Sequence, residues 1–295
     1  MPSIFYLGFP RRDDISISKD HEGRLYSRFG KIEAKGSEAE KLLFKDAKAF
    51  RDILLNYVEI PGQVRSKYGS LVAKHSALAD VSVYNNILLS DSTAKKVTAL
   101  FGSVALKDSK VENVVSAGKV GLERASVEGK VQACYDIALE NSSASALSSD
   151  FGKITVKQTD GTRRTISQIS AQGKIIAQGS TVQDVALHID QDQKAHLDLT
   201  DTEVLGNIAV KVQDFHGTFY GNINGKEFHH PSAFAAYLRT GRMEDAEAAP
   251  TTKHFTLLIK GEEMPKNISF EGFETDEITS EKTADGILVS GVKRK

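Results

Sequence analysis

The chain has 295 residues, 40% hydrophobic and 26% charged, an ordinary balance for a folded domain. Its 38 lysines and arginines against 39 aspartates and glutamates leave a net charge of −1, so no overall field draws it to nucleic acid or an anionic membrane. The single cysteine, Cys134, excludes an intramolecular disulfide framework and a multi-cysteine zinc site, and no stretch approaches the roughly 20 apolar residues of a membrane span.

The opening stretch MPSIFYLGFPRRDD sets its apolar residues before its charges, the reverse of a secretory signal. The expectation is a cytoplasmic protein, with a virus- or phage-encoded accessory protein as one source. Residues 1–70 predict an α/β cap: a strand in SIFYLGF, a hairpin in GRLYSRFGKIEAKG, then a helix from Ser37 to Asn56. In that helix Ala39, Leu42, Leu43, Ala47, Phe50, Ile53 and Leu54 keep a three-to-four spacing, and Ser37 with Glu40 fits a capping box.

Residues 71–212 carry a repeat. Taking Val120 as register zero, equivalent starts are Leu71, Ile87, Val104, Val120, Ile137, Ile154, Ile175 and Leu197, spaced 16, 17, 16, 17, 17, 21 and 22 residues apart. Two residues on, the site is always apolar: Ala73, Leu89, Leu106, Leu122, Leu139, Val156, Ala177, Leu199. Five on comes a hydroxyl column of Ser76, Ser92, Ser109, Ser142, Thr159, Ser180 and Thr202, broken only at Ala125. Seven on stand Leu78, Ala94, Val111, Val127, Ala144, Gly161, Val182 and Val204, and a third apolar point follows in most copies, as at Val97, Val114, Val131 and Leu147.

Alternating side chains put a start and its plus-two residue on one face of a strand. Ser and Thr favour turns by bonding nearby backbone groups. Three short inward-facing strands per copy predict a parallel β-helix, each coil burying its apolar face only against its neighbours. Between Pro61 and Pro231 there is no proline, so no residue there lacks a ladder donor. An antiparallel sheet of similar strands is the plainer alternative, but it need not keep this spacing. Irregular coil lengths depart from the strict hexapeptides of left-handed acyltransferase coils, so a right-handed β-helix is expected.

Residues 213–242 predict a hairpin-helix cap. Asn224-Gly225 is a hairpin turn signal, Pro231 suits a first helical turn and Gly241 its stop. The acidic, alanine-rich 243–252 reads as a linker. HFTLLIKG, NISFEGF and GILVSGV then predict a small β segment over 253–295.

Several polar groups are weighed as sites. His229-His230 beside Glu227, with His216 and His254 near in sequence, point to opposite sides of a strand and read as a helix-entry turn; no metal or cofactor is expected. Cys134 falls between two coils and reads as inert packing. QTDGTRRT widens the coil at Ile154, and its Asp160-Gly161 turn lifts out Arg163 and Arg164 as a candidate contact for an anion or acidic partner. HIDQDQKAHLD gathers Asp190, Asp192 and Asp198, the kind of carboxylate array with which β-helical enzymes cleave polysaccharide, although solvated turns read better in coils this short.

The short coil of Val120–Ala133, V-x-L…S-x-V-x-G-x-V-x-A, resembles the bactofilins, polymer-forming cytoskeletal proteins of short right-handed β-helical coils. The resemblance covers roughly 71–212. It implies architecture and self-assembly, with the flanking segments as a departure that favours capped assembly over open filaments. NGKEFHHPSAFAAYLRTG is similar to hairpin-plus-helix modules attached to some restriction-modification and homing-endonuclease proteins, without their aromatic residues.

The leading expectation is a non-enzymatic β-helical scaffold that forms a closed homo-oligomer, binds another protein, or both. Leu257, Ile259, Ile268 and Phe270 are expected near the oligomer contact; Arg163, Arg164, Lys226, Arg239 and Arg242 are candidate partner-binding residues. The alternatives are a carbohydrate-binding or carbohydrate-cleaving β-helix, and nucleic-acid binding through the 222–242 module.

Overall fold

In a computed structural model the described residues are 14–18, 23–189, 194–212, 221–223, 226–228, 252–271 and 277–294. They form a parallel β-solenoid of about ten turns, with no helix among them. Each regular coil contributes a four-residue strand to one sheet, as Ile87–Ser90 does, and a seven-residue strand to a second, as Thr93–Ala99 does. Both sheets are fourteen-stranded.

The predicted start column is one continuous row. Leu71 pairs with Ile87, then Val104, Val120, Ile137, Ile154, Ile175 and Leu197 follow in order. All eight are essentially unexposed, so the row is the solenoid's interior. Burying such side chains stabilises by about 1.5–3 kcal/mol each, and here every one is buried by its own counterpart one coil away. The second and third inward points of each copy lie on one strand, not two. In Thr93–Ala99, Ala94 and Val97 both face inward while Lys95 and Lys96 both face out, so the strand turns a corner between them.

The ladder crosses residue 70 without a break. Ile15 pairs with Ile32, Ile32 with Ile53 and Ile53 with Leu71, extending the interior row to the first described strand. The helix expected over Ser37–Asn56 is therefore corrected: this stretch contains the strands Leu42–Leu43, Asp46–Ala49 and Ile53–Asn56. Its apolar groups do fall three and four apart, but Leu42 is called to Val58, Ala47 to Val64 and Ile53 to Leu71, partners one coil away that no local pattern reveals. The Ser37 hydroxyl does accept the Glu40 amide (3.1 Å), in a turn and not at a helix start. Pro61 sits at the corner of Val58–Ser66, where the pairing register shifts between Ile60 and Gln63 and no ladder donor is needed.

The 154 coil departs from its predicted columns. Residues 158–163 form an excursion, so Thr159 and Gly161 are exposed, and the inward positions are taken by Ile166 and Ile169, opposite Val182 and Val185. At the other end the hairpin is present, Gly221–Ile223 pairing antiparallel with Lys226–Phe228. The expected turn at 224–225, the helix over 231–241 and the linker up to 251 lie outside the described residues.

The C-terminal strands are not a separate sheet. Thr252–Lys260 pairs in parallel with Lys194–Asp198, and Ile268–Glu271 with Ile208–Val212, so each continues one of the two sheets. Gly286–Arg294 and Glu277–Thr283 then add two antiparallel strands. Leu257 (0% exposed) and Ile259 (3%) stand over Ala195 and Leu197, and Ile268 and Phe270 pack partly buried against the same core. These four, expected near a subunit contact, stand within or against the core of their own chain.

Leu122→Asp, placing a carboxylate without a partner in an interior row, is expected to abolish cooperative folding, read by circular dichroism on heating. Deleting 253–295 is expected to uncover Leu197, Ile208 and Val210 and cause aggregation; a monodisperse, folded truncation in light scattering would contradict this arrangement.

Candidate functional site

Side chains gather in three constellations, two of which repeat from coil to coil because like positions stack. At the first corner, four residues after each start, Tyr57, His75, Asp91, Asp108, Arg124 and Asn141 all have φ near +50°. That left-handed conformation reverses the chain between the sheets and, among residues other than glycine, is tolerated best by Asn and Asp. The next residue is the buried serine column. The Ser92 hydroxyl donates to the Ser90 carbonyl (2.7 Å) and accepts the Ser76 amide (3.1 Å), while the Ser92 amide donates to the Ser109 hydroxyl (3.2 Å). Ser142 serves Glu140 and Ala125 in the same way. The column is thus an internal hydrogen-bond ladder, not a row of solvated turns.

On the outside of this corner, side chains one coil apart meet. Tyr57 stacks on His75, ring centroids 4.6 Å apart. Arg124 grips Asp108 with Nε and a terminal nitrogen (2.7 and 2.8 Å) and reaches Glu123 (2.6 Å). The Arg124 hydrogen bonds hold the Asp108 carboxyl below its ordinary range, and those of Lys107 and Arg124 do the same for Glu123.

The widened coil forms the second constellation. The Arg164 guanidinium binds Asp160 (2.6 and 3.0 Å) and Gln158 (2.6 Å). This contact, with the Thr162 amide, holds the Asp160 carboxyl down at about 2. Arg163 donates to Asp201 (2.8 Å) and lies 3.8 Å from Glu203. Both candidate arginines are therefore engaged by carboxylates of their own chain. The strand carrying Lys226 is described; Arg239 and Arg242, like Asp190, Asp192 and the 229–230 histidines, lie outside the described residues. Asp198 is buried (3% exposed). Burial alone would raise its pKa, but the Thr200 hydroxyl and amide and Lys260 (3.3 Å) hold the carboxyl below its ordinary range.

The third constellation runs along the opposite corner, where the long strands return to the short ones. Phe29, Phe50, Tyr68, Tyr84 and Phe101 form an outward row, consecutive centroids 6.2, 4.9, 5.6 and 4.5 Å apart. Tyr135 and Phe151 resume at this corner farther along, both more than half exposed. The rings are tilted against each other by 36–65°, so they do not close face to face. Phe29 is 44%, Tyr68 49% and Phe101 68% exposed, a contiguous aromatic surface that isolated monomer surfaces seldom present.

Beside this row an open groove is lined by Tyr26, Arg28, Lys48, Arg65 and Lys67 together with the first rings, and by no carboxylate. Tyr26, Lys48 and Arg65 stand in register on successive long strands. Arg28 lies 5.2 Å over the Phe29 ring, and Lys67 5.8 and 5.3 Å over Phe50 and Tyr68. Elsewhere on the solenoid some cations are paired with carboxylates, as Lys107 is with Glu123 and Lys119 with Asp136. Sequence reasoning did not find this row. Its signal was aromatic residues 21, 18, 16 and 17 apart from Phe29 to Phe101, hidden because the first coils read as a cap.

Among the described residues no group of three histidine, cysteine or acidic side chains is gathered as a metal site, and no helix is long and apolar enough to cross a membrane. Compared with known proteins, the chain matches no family model, no curated protein and no solved structure.

Ser92→Ala removes both a donor and the acceptor of a buried amide, and is expected to cost about 2 kcal/mol in chemical denaturation. Asp160 titrates below its ordinary 3.8, so the order it gives the 158–163 excursion is complete above that value and lost as pH falls towards about 2. Asp160→Asn should abolish that pH dependence, read from amide exchange of Thr162 and Arg163.

Proposed function

We propose that the protein is a non-enzymatic binding scaffold: a rigid solenoid that holds a row of side chains at one coil's pitch for an extended partner. The observation that carries this reading is the exposed ring row from Phe29 to Phe101 with its flanking cations. The backbone ladder fixes ring spacing without any cost to the partner, which is preorganisation in the sense that lowers the entropy lost on binding. The bactofilin-like coil pattern supports a structural over a catalytic role and leaves association of copies within this reading. We put the working contact at the ring row and not at the C-terminal strands, because Leu257 and Ile259 are already used inside the chain.

Photo-crosslinking tests this. A benzophenone amino acid at Phe101 or Tyr68 in the full-length protein, expressed in cells and illuminated, is expected to give higher-mass adducts. The same group at Ala138, on the outer face of the short-strand sheet, is expected to give few. Equal yields at all three positions, or none, would remove the ring row as the contact.

A further inference from the structure

Resting on that reading of the ring row, we infer that the groove beside it binds single-stranded nucleic acid. The inference concerns the N-terminal coils and is independent of the 222–242 module. Arg28, Lys48, Arg65 and Lys67 stand together with no carboxylate in the groove lining. The whole chain carries a net charge of only −1, so this cluster is a local feature and not a sample of a basic surface.

The arrangement has two parallel rails. One is the ring row at the corner, one ring per coil from Phe29 to Phe101. The other is cationic, with Lys48 and Arg65 in register on adjacent strands and Arg28 and Lys67 next to their rings. A single strand presents the complement: flat bases on one side and phosphates on the other. Aromatic side chains that take successive bases beside a positive groove that tracks the backbone are how proteins hold such strands without reading sequence. An acidic polysaccharide carries its charge on the sugar ring itself and offers no separate rail. A duplex keeps its bases stacked inward and would meet only the cations.

Arg28 and Lys67 now lie over ring faces. Phosphates would draw these side chains off and free the faces for bases. The exchange keeps each cation beside a negative group and each ring beside a flat one, so neither is left bare.

Fluorescence anisotropy with labelled oligo(dT) and the full-length protein tests the inference. Binding is expected in the micromolar range, with the logarithm of affinity falling against the logarithm of salt by about −2 to −3, as for three or four phosphates. Tyr68→Ala should weaken binding about tenfold. Lys48→Gln and Arg65→Gln should each lessen the slope by about 0.7. None of the three should shift the thermal midpoint by more than a few degrees, since all three side chains are exposed. Lys282→Gln, at the far end of the solenoid, is the control and should change nothing. No binding at about 100 μM protein overturns the inference, and so does equal affinity for oligo(dT), duplex DNA and polygalacturonate. If crosslinks at Phe101 resist nuclease and yield to protease, the scaffold reading stands and the nucleic-acid assignment falls.

Discussion

Every coil of this protein depends on one constraint: its backbone amides and carbonyls are paired with the coils above and below, at a rise of about 4.8 Å. A parallel ladder of that kind brings equal positions of successive coils into contact. Residues that are harmless singly must therefore tolerate, or benefit from, a copy of themselves on either side. Aliphatic side chains do so, and the row from Ile15 to Leu197 and on to Ile259 is the result. Serine does so by passing hydrogen bonds along the column. Opposite charges do so where they meet across adjacent coils, as Asp108 meets Arg124 and Lys107 meets Glu123.

The corners show the same constraint at its tightest. A Cβ at Gly102 or Gly152 would run into the backbone of Asn85 or Tyr135 in the coil below, so the chain returns to the short-strand sheet through glycine. Next to these glycines, Ser66, Ser116 and Ser149 are buried and bond to backbone at the turn. The aromatic residues occupy the outer side of that corner. Their spacing is thus set by the ladder, while their identity is not required by it: one coil beyond Phe101 the same corner carries Ala117 ahead of Gly118, which pairs with Gly102, and the stack continues. A position the fold leaves free and the sequence fills with exposed rings is where a binding role is best sought.

Much of this was legible because stacking turns three-dimensional neighbours into sequence columns. The interior rows between 71 and 212 follow from those columns alone. The first coils were not legible: excursions between Ile15 and Leu71 stretch the spacing to 17, 21 and 18, and the apolar residues of 37–56 coincide with a helical period. The capping signal at Ser37 had a real hydrogen bond beneath it, yet local chemistry could not say that a turn and not a helix came next. In the 154 coil, fixed offsets pointed to Gly161 where Ile166 is the inward residue, because an insertion moves every later column. The C-terminal strands looked independent because Ile268 lies 60 positions along the chain from Ile208, its partner in the ladder. The surface rings escaped notice for a related reason: they belong to no apolar face and show only once the register is known.

The most direct test of the continuous ladder is a distance along it. Positions 33 and 155 lie in one outward row of the short-strand sheet, seven coil steps apart through Leu54, Val72, Leu88, Ala105, Gly121 and Ala138. Spin labels on Glu33→Cys and Thr155→Cys, in a Cys134→Ser background, should give by pulsed electron resonance a single narrow distribution centred near roughly 34 Å. A broad distribution, or a peak below about 25 Å, would mean that the N-terminal coils are not stacked in register on the rest, and the rigid scaffold would have to be abandoned.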